Sequence, residues 1–226
     1  MSLVKLIAAT KGIHQELDGC GGEEVVSYVA RVSNPKNQNN FETAPKLLSY
    51  LIKHKHWSPF EHSFMTLEIE TSRGIAAQIL RHRSFVFQEY SQRYAESDSY
   101  IEYEARRQDL KNRQNSIDNM DKFDKLWFKD AQSLIWSFSE GLYKDALQRG
   151  IAKEQARFLL PLNTKTRMYM TGSIRSWITY FIVRLDKSTQ LEHRQIALNC
   201  FNIFKNEYPV ITEALKLSHP EIFNEV

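Results

Sequence analysis

Cysteine and glycine are each scarce in this chain where a familiar function would need them. Only Cys20 and Cys200 occur, and they form no C-x-x-C pair. A disulfide framework and a thiolate zinc site are thereby excluded, and a reducing cytoplasm is the expected location. The glycines make no phosphate loop. In "DGCGGEEV" the third glycine of G-x-G-x-x-G would fall on Glu24, and Glu23 and Glu24 would set negative charge where a pyrophosphate belongs. A turn into a helix is the better reading, and no Walker loop occurs. No apolar run is long enough for a membrane span. The opening "MSLVKLIAATKG" is too short in apolar residues for a signal peptide and reads as a first strand.

What is present suits one α+β domain over residues 1–226 with a substantial core, 42% of residues being hydrophobic. The net charge of +3 is too mild to imply nucleic acid by itself. Its distribution is more telling. From Arg73 to Arg113 the cations are Arg73, Arg81, Arg83, Arg93, Arg106, Arg107 and Arg113, with Lys111 the lone lysine. Arginine offers a planar fork that meets phosphate or carboxylate at two points, so the bias favours anion recognition.

The densest part is "RHRSFVFQEYSQRY", residues 81–94, where cations alternate with Phe85, Phe87, Tyr90 and Tyr94. A core cannot hold unpaired guanidinium groups, and a solvated face has no need of so many rings. The stretch looks built for a planar anion. A helix end followed by an ion-paired loop, with Glu89 pairing an Arg, is the plainer alternative. Gln78, Arg81 and His82 share a helix face. Glu89, Ser91 and Arg93 share a side if the chain runs extended after Ser84, which would set two polar groups toward one cavity.

Strands are expected at 3–9, in "HSFMTLEIE" with Met65, Leu67 and Ile69 on one face, and in "TKTRMYMT" up to a break at Gly172. Helices are expected in "GEEVVSYVARVS", in "TAPKLLSYLIKH" with Thr43 as N-cap, and from Ser72 to about Arg83. A long helix from Asp121 to Arg149 carries Trp127, Ala131, Leu134, Phe138, Leu142 and Ala146 at helical spacing. A short helix lies around Arg157. "SIRSWITYFIVRL" and a segment stopped by Pro209 are the last helices. "HKHWSPFEH" gathers His54, His56, Glu61 and His62, but without an H-E-x-x-H or a further pair a metal site is not expected; a helix end near His54 with a Ser58-Pro59 turn is preferred.

"RHR", seven residues and then Ser91, followed by "QRY", resembles the signature of flavin-dependent thymidylate synthases. "HWSPFEH" is similar to the block before that signature, and "ARFLLP" and "RSWITYFIVRL" resemble its two later Arg-bearing blocks, so the resemblance runs from about residue 43 to about residue 205. Three positions depart from the family pattern: Gln88 and Ser173 where Asn is usual, and Ser188 where His is usual.

The resemblance implies a small mixed sheet with flanking helices, assembled as a homotetramer with shared active sites. It implies dTMP formation from dUMP, with 5,10-methylenetetrahydrofolate as carbon donor and NADPH as reductant through FAD. Gln78, Arg81, Glu89, Ser91, Gln92, Arg93, Arg157 and Arg184 would bind dUMP. His56, Ser58, Glu61, Arg81, His82, Arg83, Glu89, Ser173 and Arg175 would border FAD. Arg184 and His56 are the catalytic candidates, Arg184 by stabilising charge on the uracil. No enzymic nucleophile is implied, since Cys20 and Cys200 look inactivated and Ser91 has no neighbouring base. Two other classes stay open on the residues alone. One is an RNA-binding module using the Arg and aromatic residues, and the other a metal-dependent nucleotide hydrolase using the His cluster.

Overall fold

The central strand is β2 (Phe64–Ser72), whose strict alternation buries Met65, Leu67 and Ile69 on one face. In the computed structural model, which describes residues 3–223, it pairs on one side with β1 (Leu3–Ala9) and on the other with β6 (Lys165–Ser173). β3 (Val86–Glu89) pairs with the outer side of β6, giving the order β1-β2-β6-β3. Every pairing is antiparallel, so the expected mixed sheet is corrected. The chain leaves β3 at Glu89, opposite Met168, and re-enters β6 from Lys165 near the same end, which makes the pair antiparallel.

Helices cover the face that carries Met65, Leu67, Met168 and Met170. They are α1 (Gly22–Ala30), α2 (Ala44–Lys53), α3 (Arg73–Ile79), α6 (Ile174–Arg184), α7 (Leu191–Glu207), α8 (Pro209–Ser218) and the short α9 (Pro220–Phe223). Phe181 packs on Phe201 and Phe204 with ring centres 5.1 Å away in each case, and Phe204 stacks on Tyr208 at 4.9 Å. Each such side chain fully buried contributes roughly 1.5–3 kcal/mol, so this aromatic column anchors α6 to α7.

α3 ends at Ile79 rather than near Arg83. A series of turns follows, with Arg81 N–H bonded to the Gln78 carbonyl and Phe85 N–H to that of His82. These turns bring Phe85 back into the core against Trp177, at 4.9 Å between ring centres. Gly172 lies within β6 and does not break it. A Cβ there would stand 2.5 Å from the Phe85 ring, so its glycine makes room for Phe85.

Other expectations need adjustment. Thr43 flanks α2 but makes no capping hydrogen bond; its hydroxyl accepts from Arg31 instead. The far end of α2 closes as foreseen near His54. Lys55 takes a left-handed φ of 57°, which lets His56 N–H reach the Leu51 carbonyl. Pro209 does stop α7, and it also opens α8, where a missing N–H costs nothing. A small hairpin, β4 (Arg107–Gln108) with β5 (Ser116–Ile117), was not expected.

The largest correction concerns α4 (Lys122–Gln148), capped by Asp121. Most of its apolar stripe faces outward: Trp127 is 64% exposed, Leu134 72% and Phe138 68%, while Ala146 at the end of the stripe is buried as expected. The inner face otherwise carries Gln132, Trp136 and Tyr143. Helical spacing identifies a face but not which way it points.

Gly172→Ala tests the packing of Phe85. The added methyl forces the ring or β6 to move, and we expect a loss of about 1–3 kcal/mol, read as a lowered denaturant midpoint. An unchanged midpoint would show that the ring yields freely.

Candidate active site

α3 and α6 deliver the polar residues of the first group. Ser72 accepts the Ile75 N–H and starts α3; Ser173 accepts the Ser176 N–H and starts α6. At their other ends, Gln78, Arg81 and Arg184 line one open groove of about 390 Å³ together with Ala77. Arg184 Nε donates to His82 Nε2 at 2.8 Å, which orients the guanidinium. His82 can accept only if neutral, with its proton on Nδ1. Burial and then the Arg184 charge hold its pKa down to about 4. His82 also meets the Tyr180 ring edge-on at 4.9 Å.

The second group lies elsewhere. Glu89 Oε1 accepts from Arg73 at 2.8 Å and from the Thr166 hydroxyl at 2.9 Å. The chain leaves the strand after Glu89, and Ser91 to Ala95 form a turn in which Ser91 Oγ accepts the Arg93 N–H. Glu154 gathers the two arginines of this region: Arg93 reaches its carboxylate at 3.4 Å, and Arg157 Nε donates to its carbonyl at 3.2 Å. Gln92 is buried and donates to Ser97. The seven residues of α3 put about 10 Å between Arg73 and the groove. Gln78 and Arg81 of the first polar set line this groove, whereas Glu89, Ser91 and Arg93 of the second do not.

A third group forms where the 3-10 turn Ser58–His62 meets α6. Glu61 accepts from the Ser173 hydroxyl at 2.5 Å and from Arg175 at 2.9 Å. Ser58, on the same turn, and His56, just before it, are exposed, as is Arg83. His56 stands 6.2 Å from His54 between ring centres, and both rings pack near Tyr50. Among the described residues no three His, Cys, Asp or Glu side chains converge on one point.

Residues 17–210 match the family described as thymidylate synthase complementing protein. A relative named probable flavin-dependent thymidylate synthase, from Paramecium bursaria Chlorella virus 1, is 52% identical over 212 residues, covering 93% of this chain and 97% of the relative. The flavin-dependent thymidylate synthase of a Synechocystis strain is 56% identical over 194 residues, covering 86% and 89%. The chain belongs to the flavin-dependent thymidylate synthase family. A solved structure, the UMP/dUMP methylase PolB of Streptomyces cacaoi with 5-Br dUMP, is 23% identical and covers 96% of this chain and 95% of its own, with a TM-score of 0.84. At that identity it establishes the shared fold.

Within this family member, sequence reasoning missed four participants: Arg73, Thr166, Tyr180 and His193. Arg73 was visible only as one of several arginines, and nothing in "LEHRQ" sets His193 apart. Its ring is fully buried, 3.2 Å from the Tyr180 hydroxyl and 3.4 Å from Gln78 Oε1. Both thiols are held protonated by burial, Cys200 the more strongly. Among the described residues neither cysteine is an activated nucleophile.

The buried imidazole of His82 predicts a pH effect with a definite sign. Its folded pKa of about 4 lies below the ordinary histidine value of 6.5, so in that window the unfolded chain takes up a proton that the folded one refuses. Stability therefore falls as pH drops through the window. Glu23 acts oppositely, because burial raises its carboxyl to about 7 and the folded chain holds the extra proton. Comparison with His82→Gln, which keeps an acceptor for Arg184 and does not titrate, isolates the histidine. The variant should lose less stability than wild type between pH 6.5 and 4.5 in denaturation titrations; parallel profiles would contradict the assignment.

Proposed function

We propose that the chain is a flavin-dependent thymidylate synthase that converts dUMP to dTMP, with 5,10-methylenetetrahydrofolate as carbon donor, NADPH as reductant and FAD as cofactor. The observation that carries this reading is the groove of Gln78, Arg81 and Arg184, with Arg184 oriented by a neutral His82, in a chain of this family. Arg184 follows the apolar run of α6, where a guanidinium is poorly hydrated and its charge acts strongly. Its fork suits the planar edge of uracil and would stabilise negative charge growing over N3 and the carbonyl oxygens.

Ser91, Arg93 and Arg157 form the phosphate side of the proposal. Arg93 and Arg157 are already gathered at Glu154, and a phosphate would offer both a stronger partner. Glu89 and Gln92 shape that loop through Arg73 and Ser97. The donor set of Ser173, Arg175, His56, Ser58 and Arg83 fits an extended dinucleotide such as FAD. Arg175 stands in the first turn of α6, where backbone N–H groups also favour phosphate. FAD supplies the redox chemistry, taking reducing equivalents from NADPH. Glu61 holds Ser173 and Arg175 in place for it, His56 and His82 border it, and Arg81 and Glu89 border both ligands.

The homotetramer belongs to the same proposal. The groove is not lined by the phosphate-side residues of the same chain, and a site shared between copies would bring the two together. The outward stripe of α4 supplies a surface for such pairing, since Phe123, Leu126, Trp127, Leu134, Ile135 and Phe138 are all exposed. Small-molecule substrates and a cytoplasmic setting fit this reading, with neither nucleic acid nor membrane required.

Arg184→Lys is the direct test. Lysine keeps the charge but cannot both engage His82 and meet a planar edge at two points. Expected is dTMP formation slowed by about 100-fold, with FAD reduction by NADPH little changed. Wild-type dTMP formation would move the role to Arg81 or Arg157. The assembly is tested by Leu134→Glu with Phe138→Glu, which should yield smaller particles by light scattering and weaken the thermal shift caused by FAD. An unaltered mass would acquit α4 of that role.

A further inference from the structure

A continuous line of hydrogen bonds runs from the buried Tyr180 to the ion pair of Arg106 with Glu192. Tyr180 Oη lies 3.2 Å from His193 Nε2, and His193 Nδ1 lies 3.4 Å from Gln78 Oε1. Gln78 Nε2 donates to Gln190 Oε1 at 2.6 Å, and Gln190 Nε2 donates to Glu192 Oε2 at 2.9 Å. Arg106 closes the line at Glu192 Oε1, 2.5 Å away.

The charged end dictates the direction of every bond. An ionised carboxylate only accepts, so Gln190 must turn its NH₂ toward Glu192 and its oxygen toward Gln78. Gln78 must then give an N–H to Gln190 and turn its own oxygen to His193. Inverting either amide would set oxygen against oxygen at one end of the pair. His193 is neutral at physiological pH, its pKa lowered to about 3 by burial and by the nearby Arg184 and His82. It has one proton, which must sit on Nδ1 to serve Gln78, leaving Nε2 to accept from Tyr180. Burial keeps Tyr180 protonated and hence a donor.

We propose that His193 is a positioning residue that helps fix the Gln78 amide as a donor toward the groove and so makes the groove select a ligand that turns a hydrogen-bond acceptor to Gln78. With Gln78 Oε1 committed to His193, the groove is offered the second N–H of Gln78 and the donors of Arg81 and Arg184. Under the dUMP reading, on which this inference rests, that acceptor is the O4 carbonyl of uracil. A cytosine would bring its exocyclic amino group against donors and be rejected. His193 and Gln190 hold the Gln78 amide from its two ends, so loss of either removes one of the two contacts that oppose its rotation and lets it adapt to either base.

The test measures binding of dUMP and dCMP by calorimetry on the FAD-loaded protein. His193→Leu removes both contacts, and His193→Asn retains a donor near the Nδ1 position. Gln190→Leu breaks the line from its exposed side, without disturbing the core. In His193→Leu and Gln190→Leu the preference for dUMP over dCMP should shrink by about tenfold, as expected for one oriented hydrogen bond. His193→Asn should recover most of it. In wild type, nitrogen NMR should find His193 neutral with its proton on Nδ1 down to pH 5. An unchanged preference in Gln190→Leu, whose fold is not at issue, or a proton found on Nε2, would overturn the proposal. A wild-type protein that binds neither nucleotide would instead overturn the dUMP reading.

Discussion

The antiparallel ladder between β2 and β6 sets the positions on which the rest depends. It pairs nine residues of each strand, from Phe64 with Ser173 to Ser72 with Lys165. Each strand ends on a serine whose hydroxyl caps the next helix, so α3 and α6 begin at opposite ends of one ladder. Both fold back over the same sheet face. Their lengths, about 10 Å and 16 Å, nearly sum to the roughly 30 Å of the ladder, so their C-terminal ends meet over it. That meeting is the His82–Arg184 contact. Cations at helix C-termini are also favoured by the helix dipole.

A polar line through an aromatic core is costly unless every member is satisfied. Tyr180, His193, Gln78 and Gln190 satisfy one another in sequence, and the Arg106–Glu192 pair terminates the line with a charge. The same burial that keeps His82 and His193 neutral makes them usable as acceptor and relay. Protonating either would set a second positive charge beside that of Arg184. Neutral histidines and a charged arginine are thus one arrangement and not separate features.

The outward face of α4 and the separation of the two polar groups have a common physical meaning. A stripe of Trp, Leu and Phe left in water sacrifices apolar burial that a second copy can recover. Under the proposed homotetramer, the groove of one copy and the phosphate side of another would likewise be complementary.

Much of this was legible from residues in order. The alternation of "FMTLEIE" determined β2 and its buried face, because side chains on a strand change sides at every residue. Ser72 and the glycine-to-helix turn were readable from local capping chemistry, and the "RHR…S" spacing with its flanking blocks pointed to the family. Tertiary structure alone decided the rest. The face of α4 turned outward because Trp136 and Tyr143, and not Trp127 and Phe138, meet the interior. Gly172 stayed in its strand because Phe85, distant in sequence, needs the space of a Cβ there. Glu89 chose Arg73 over the nearer Arg93 because the start of α3 comes within reach of the end of β3. His193 joined the site 115 residues from Gln78. Local pattern records which groups a segment can present, whereas their partners are set by which distant segments the core brings into contact.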